Sequence, residues 1–374
     1  MKKILFVSRP IAPPWDEASK NFAYNLSKET ALLEKDHEIH IMTKGKLENM
    51  PKNVICDNVY TKSEKDFSTD QKIRSLFFQT KKRSSFDIIQ YFFTPAKASS
   101  FLIKNLLKGK SKTIQTIATL REDLLSDKEI KSMMFGDVIT TYSEYAKNKL
   151  NSLGFNNVVK IYPGIDLEDY SPREKDEKLL SESGFKKDDF IISFAGEYIR
   201  LGAMDTVIDG FIEVAKQIPS ARLSLAVRVK NEKDTKKKEE VIKQLENEDI
   251  LEKVSFHDNW RGKMSDLYNL CDVSIFPIQN MHGKFDVPLV LVEAMACEKP
   301  VIISDIPILK EFSDSNNSIE VEKENPKQLA KKLIELYNNP GKAKELGKRA
   351  GRFAQENFDI KKSAEKYNKI YKSL

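Results

Sequence analysis

Short apolar or β-branched runs alternate with longer amphipathic stretches along this chain. Ile4–Ser8 reads as a strand, Ala18–Leu33 as a helix and Ile39–Thr43 as the next strand. Ile88–Phe92, Thr113–Ile117 and Val138–Thr141 continue the strand series, with helical periods between them. The rhythm then repeats. Phe190–Ala195, Arg222–Val227, Val254–His257, Val273–Phe276 and Val301–Ser304 read as strands, separated by the helical stretches Ala203–Gln217, Thr235–Glu248, Ser265–Leu270 and Leu289–Cys297. A βαβα rhythm implies an α/β fold, with parallel strands covered by helices on both faces. Two doubly wound units suit the pattern better than one large sheet. The break falls between Tyr162-Pro163-Gly164 and Ser171-Pro172, where proline and glycine interrupt helix and strand alike. From Pro326 to Leu374 the period is helical, punctuated by Pro340-Gly341 and Asn357-Phe358-Asp359.

A length of 374 residues agrees with two domains, at roughly 100–200 residues each. No apolar run approaches the ~18 residues that cross a bilayer. Met1-Lys2-Lys3 before Ile4–Val7 has the charge order of a leader. Arg9 and Pro10 end the apolar run too soon for one, so it reads as a strand. Cys56, Cys271 and Cys297 are scattered without CxxC spacing, which argues against a zinc site or a disulfide framework and for a reducing, cytoplasmic setting. The net charge of +6 is uneven. Residues 1–162 hold 27 Lys+Arg against 18 Asp+Glu; the remainder holds 35 against 38. A basic front half suits phosphates or a peripheral contact with an anionic membrane, or is simply a solvated lysine-rich surface. No basic run is interleaved with aromatics in a recognised motif, so no nucleic-acid partner is expected.

Ligands of open α/β sheets bind outside the carboxyl ends of the strands, so the residues after each strand carry the candidate chemistry. The first strand leads into Ser8–Ser19, a proline-stiffened loop without GxGxxG. That argues against a dinucleotide fold in this half. Asp16 and Glu17 there are either helix-dipole partners or substrate contacts. After Phe190–Ala195, Gly196 lets backbone approach a ligand and Arg200 precedes a helix whose free amides suit a phosphate; an ordinary turn with a surface arginine is the alternative. Arg228, at the next strand end, is an anion contact or a salt-bridge partner. In the run Lys284–Ile302, Pro288 suits a first helical position and leaves the amides of Leu289 and Val290 free. Glu293 lies in a strongly apolar helix between Val292 and Ala294. A carboxylate there needs partners, either ribose hydroxyls or a buried salt bridge.

The run Val287–Ile302 resembles the donor-site helix of glycosyltransferase family 4, retaining enzymes of the GT-B fold. Lys2–Ser8 with the following helix and His37–Thr43, then Asp137–Ser143 with Ile161–Asp166, then Val254–Phe256 with Leu267–Pro277, resemble other segments of that family in order and spacing. The resemblance covers nearly the whole chain. It implies two Rossmann-like domains facing across a cleft: residues 1–165 on the acceptor side, with the final helix (about 358–374) returning onto them, and residues 166–357 binding the nucleotide-sugar. Glu293 matches the second glutamate of the family's E-x7-E pattern, implied to bind the donor ribose, and Gly196 and Gly202 match glycines of its donor domain.

The family's first glutamate falls on Phe285, with Asp286 one residue later. Its usual Arg and Lys near the first donor strand are Glu197 and Leu201, and its glycines near Arg228 and in the first loop are absent. Arg200, Arg228 and Lys284 are therefore expected to rebuild the diphosphate clamp with Val287, Leu289 and Val290. Asp286, Glu293 and Arg200 are the expected catalytic group, with Asp286 near the donor sugar. The acceptor is expected beside Asp16, Glu17 and Lys20. No Asp-x-Asp motif is present, so transfer without a metal or other cofactor is expected, from a UDP- or GDP-sugar to a glycan or lipid-linked acceptor. The competing expectations are a GT-B protein that binds nucleotide or glycan without transfer, an epimerase or phosphorylase of the same fold, and a NAD-dependent dehydrogenase.

Overall fold

The computed structural model describes residues 1–13, 17–61, 68–92, 96–105, 107 and 109–374. The chain divides into two compact units. The first comprises Met1–Asp166, Gly283–Val287 and Asn357–Leu374; the second comprises Leu167–His282 and Pro288–Glu356.

The first unit is a seven-stranded parallel sheet of β1 (Lys2–Ile11), β2 (His37–Thr43), β3 (Val54–Asn58), β4 (Ile88–Phe92), β5 (Lys112–Ile117), β6 (Val138–Thr141) and β7 (Val158–Lys160), in the order β3-β2-β1-β4-β5-β6-β7. Its helices are α1 (Ala18–Leu33), α2 (Thr69–Lys82), α3 (Lys97–Asn105), α4 (Asp127–Met133) and α5 (Glu144–Ser152). The central strands are covered on both faces, which explains the continuous apolar run Ile4–Val7, each residue under 5% exposed.

The chain's last helix, Ile360–Ser373, packs beside α1. It buries Tyr367 and Tyr371 against Phe6 and Phe22. Their hydroxyls enter a closed polar chain over the sheet. Tyr371 donates to Gln90 Oε1, and Gln90 Nε2 donates to Thr116 Oγ1 at 2.9 Å. Thr140 donates to Thr116 Oγ1 at 3.0 Å and shares a 3.0 Å bond with Tyr367. Buried polar atoms linked in this way cost little, and the helix is fixed in register with the sheet.

The second unit is a six-stranded parallel sheet of β8 (Phe190–Glu197), β9 (Ala221–Arg228), β10 (Val254–Phe256), β11 (Val273–Phe276), β12 (Val301–Ser304) and β13 (Ile319–Val321), in the order β10-β9-β8-β11-β12-β13. Its helices are α6 (Glu177–Glu182), α7 (Met204–Gln217), α8 (Glu232–Asn247), α9 (Met264–Leu270), α10 (Leu289–Ala296), α11 (Pro326–Asn338) and α12 (Pro340–Asn357). In both sheets the strand order reverses beside the first strand, so both units are doubly wound. Among the described residues no helix is long and apolar enough to cross a membrane.

Candidate functional site

Glu293 lies in the second turn of α10 and is half-buried. Its carboxyl faces tyrosines from two other segments. Tyr268 of α9 donates to Oε2 at 3.2 Å, the Tyr170 hydroxyl also draws the carboxyl's pKa down, and the two rings lie 6.4 Å apart. Burial dominates the carboxyl's electrostatics and pushes its pKa up to about 7, against the pull of the two hydroxyls. No cation pairs with it among the described residues. The alternative of a buried salt bridge is therefore not what the chain builds. Glu293 is instead a desolvated acid among hydroxyl donors, short of charge compensation.

The amides expected to bind an anion lie one turn earlier. Pro288 is the N-cap residue of α10 rather than its first helical residue, with φ −76° and ψ 89°, and no side chain caps the helix. The first intrahelical donor is Leu291, to Pro288 O at 2.9 Å, so the amides of Leu289 and Val290 precede the hydrogen-bonded ladder. Val287 is buried, at 1% exposed.

β8 runs two residues beyond its expected end, because Gly196 and Glu197 continue the ladder with Val227 and Arg228. The missing side chain of Gly196 has a packing cause: a Cβ there would stand 2.7 Å from the Phe194 ring. Gly202 has φ +68°, and a Cβ would stand 2.4 Å from Gln279 Oε1. Glycine is therefore required in the turn that Gln279 closes through its amide to Leu201 O at 2.9 Å. Glu197, at 4% exposed, is ion-paired with Lys230 just beyond β9. The cation that the family resemblance puts at this strand end thus has a carboxylate in its place, neutralised from the neighbouring strand. Arg200 is exposed and Arg228 half-buried. Neither side chain makes a hydrogen bond or ion pair with a described residue, and no bond joins either to Glu293.

Gly283–Val287, expected within residues 166–357, belongs to the first unit. Asp286, expected beside the donor sugar, is 5% exposed. Its amide donates to Ala118 O at 2.9 Å, and Ser143 Oγ donates to its Oδ2 at 2.9 Å. Ser143 is the N-cap of α5 and accepts from Ala146 N at 3.0 Å, so one hydroxyl serves helix and carboxylate together. Phe285 packs its ring 5.3 Å from Tyr142, and Lys284 is half-buried.

On the acceptor side, Asp16 lies outside the described residues. Glu17 occupies the N-cap position of α1 without capping it and pairs instead with Arg9 at 2.5 Å. Lys20 is 2% exposed, on the buried face of α1. Tyr170 and Tyr268 are the site residues that sequence reasoning missed. A tyrosine at helical spacing among Leu267 and Leu270 reads as core, and nothing local marks its hydroxyl for Glu293.

Residues 175–353, somewhat under half the chain, match the family model described as glycosyl transferases group 1. The chain is 27% identical over 360 residues to an uncharacterized glycosyltransferase of Methanocaldococcus jannaschii, covering 91% of each. It is 26% identical over 219 residues to a D-inositol 3-phosphate glycosyltransferase of Streptomyces bingchenggensis, covering 57% of this chain and 47% of that protein. Among solved structures, Anabaena HepE in complex with UDP and glucose is similar over 100% of both chains, with a TM-score of 0.74 and 16% identity. Sucrose-phosphate synthase from Thermosynechococcus elongatus is similar over 100% of this chain and 99% of that one, with a TM-score of 0.76 and 15% identity. The protein is an enzyme of the glycosyltransferase class with the GT-B fold. More particularly, the matched residues span nearly all of the second unit, including Glu293 and α10.

Proposed function

We propose that the chain is a retaining, metal-independent glycosyltransferase of the family 4 type, which moves a sugar from a UDP- or GDP-sugar to a glycan or lipid-linked acceptor. The observation that carries this reading is Glu293, a carboxyl desolvated in an apolar helix with only hydroxyl groups for company. Two vicinal ribose hydroxyls are the partners such a carboxylate lacks, and they stabilise its ionised form. The complexes of Anabaena HepE with UDP and with UDP-glucose support a UDP donor.

In this reading Arg200 and Arg228 meet the diphosphate, with Lys284, the backbone at Gly196 and Val287, and the amides of Leu289 and Val290 around it. The bond from the anomeric carbon to the phosphate oxygen breaks, and the acceptor oxygen bonds to that carbon on the same face. The acceptor's proton passes to the departing phosphate oxygen, so no protein nucleophile is needed. Cations and helix amides carry the leaving charge, and this is the basis of the metal-independent route. Among the described residues no cluster of His, Cys, Asp or Glu is grouped to hold a metal ion. Asp286 holds the segment before Pro288 in place through Ser143. The acceptor approaches near Asp16, Glu17 and Lys20. The setting is cytoplasmic, with peripheral membrane contact through the basic first half.

A second reading, binding without transfer, is favoured by one observation. Phe285 stands at the family's first glutamate, and the adjacent carboxylate, Asp286, is already engaged by Ser143. Nucleotide release from a panel of UDP-, GDP- and ADP-sugars, wild type against Glu293→Ala, decides between them. Release from one donor, lost in the variant, is expected. Tight donor binding without release would establish the second reading.

A further inference from the structure

The most buried positions of α2 are polar, and two of its apolar residues face outward. Its buried residues are Gln71, Ser75 and Gln79. Gln71 is satisfied there by Thr61: its Nε2 donates to Thr61 Oγ1 at 2.6 Å, and its Oε1 accepts from Thr61 N at 3.2 Å. Gln79 donates to Ser75 Oγ at 3.1 Å. Ile73 and Phe77, four residues apart and so neighbours on one helix face, are 61% and 69% exposed. At 3.6 residues per turn they lie opposite the Gln71–Ser75 face. A helix that served only to cover the sheet would place these side chains inward. Its neighbour on the same apolar cluster does likewise. Leu76 and Phe78 of α2 pack there with Ile103 of α3, and α3 turns out Phe101, 64% exposed.

The charges around this face are mainly positive. Arg74 and Lys81 are exposed beside Ile73 and Phe77, with one exposed acid, Asp70, on the same side; Lys72 and Lys82 are exposed further round the helix.

We infer that the outer face of α2, Ile73 and Phe77 with their flanking cations, docks the protein on an anionic lipid surface. Apolar side chains that enter the headgroup boundary beside cations that meet anionic headgroups define a helix lying on a bilayer. A second copy of this chain fits less well, because a two-fold contact through this face sets cations against cations. The inference rests on the proposed lipid-linked acceptor for its purpose, but its test is separate from the test of transfer.

The test is sedimentation of the full-length chain with phosphatidylcholine vesicles, with and without phosphatidylglycerol. Binding that requires the anionic lipid and weakens with added salt is expected. Replacing Arg74 and Lys81 together by Gln should lower partitioning roughly 25-fold, at about fivefold per cation. The Ile73→Ser/Phe77→Ser variant should lower it about tenfold or more with the charge unchanged. All these side chains are exposed, so thermal melts close to wild type are expected and serve as the folding control. Binding indifferent to anionic lipid, or equal in wild type and both variants, overturns the inference. So does self-association lost in the Ile73→Ser/Phe77→Ser variant without vesicle binding, which would assign the face to a second copy. A wild type that turns over donor yet ignores anionic vesicles defeats this inference alone. One that binds vesicles yet releases no nucleotide defeats only the transfer proposal.

Discussion

Asp286 and Glu293 stand on either side of Pro288, and their surroundings differ in kind. The Asp286 carboxylate is buried with a hydroxyl donor in place, and its own amide is bonded to Ala118. Glu293 is less enclosed by its neighbours, yet its carboxyl is desolvated enough to titrate near 7, with tyrosine hydroxyls and no cation to hold its charge. The first acid is satisfied within its own unit and has a structural task. The second pays for being ionised until a ligand supplies donors. Acidity of residue type therefore says less about function than the balance between desolvation and partners at each carboxyl.

The comparison is tested most strongly at Glu293. Glu293→Ala should lower donor turnover about a hundredfold or more, the scale of losing a charge-assisted contact to substrate. Its effect on stability should run the other way. The folded pKa lies above the unfolded value, so the group costs nothing below about pH 4.5 and its cost grows up to about pH 7. A carboxyl that ionises one pH unit later in the folded chain than in the unfolded one costs about 1.4 kcal/mol once both are ionised. Glu293→Gln should therefore be more stable than wild type at pH 8 and equal to it near pH 4, as read from urea unfolding. Loss of stability at pH 8 would mean that the carboxylate has a structural partner after all.

The opposite pattern is expected at Asp286. Asp286→Ala and Ser143→Ala should each cost about 1–3 kcal/mol of stability, since each strands a buried polar partner. The double variant should cost less than the sum of the two, as chemical denaturation would reveal. Additive losses would show that the two groups do not act together. Smaller effects are expected at the arginines. Arg200→Ala or Arg228→Ala should raise the donor KM about tenfold. Neither should change the melting temperature measurably, because neither side chain has a partner among the described residues. A fall in melting temperature without a change in KM would remove that arginine from the donor site.

Much of the fold was legible because the central strands are covered on both faces and so carry uninterrupted apolar runs. β4, β6, β11 and β12 begin and end where the pattern predicts. The strands the pattern misses, β3, β7 and β13, lie at sheet edges. They have three to five residues, several of them half-exposed, so no apolar run marks them. Glu293 was legible as an acid inside an apolar helix. Its tyrosines were not, since Tyr170 and Tyr268 arrive from distant segments and resemble ordinary core aromatics. The engagement of Asp286 was equally hidden, because Ser143 lies 143 residues away in the chain. Gly196 was visible as a strand-end glycine, but its packing cause, the Phe194 ring, required the structure.

The most direct test of the central claim is the pH dependence of donor affinity, measured by calorimetry with a nucleotide-sugar whose diphosphate does not titrate in the range used. If Glu293 binds the ribose as a carboxylate, wild-type affinity should fall about tenfold per pH unit below about 7, and Glu293→Gln should bind weakly at every pH. The same pH profile in wild type and variant would contradict the account and move the ribose site away from α10.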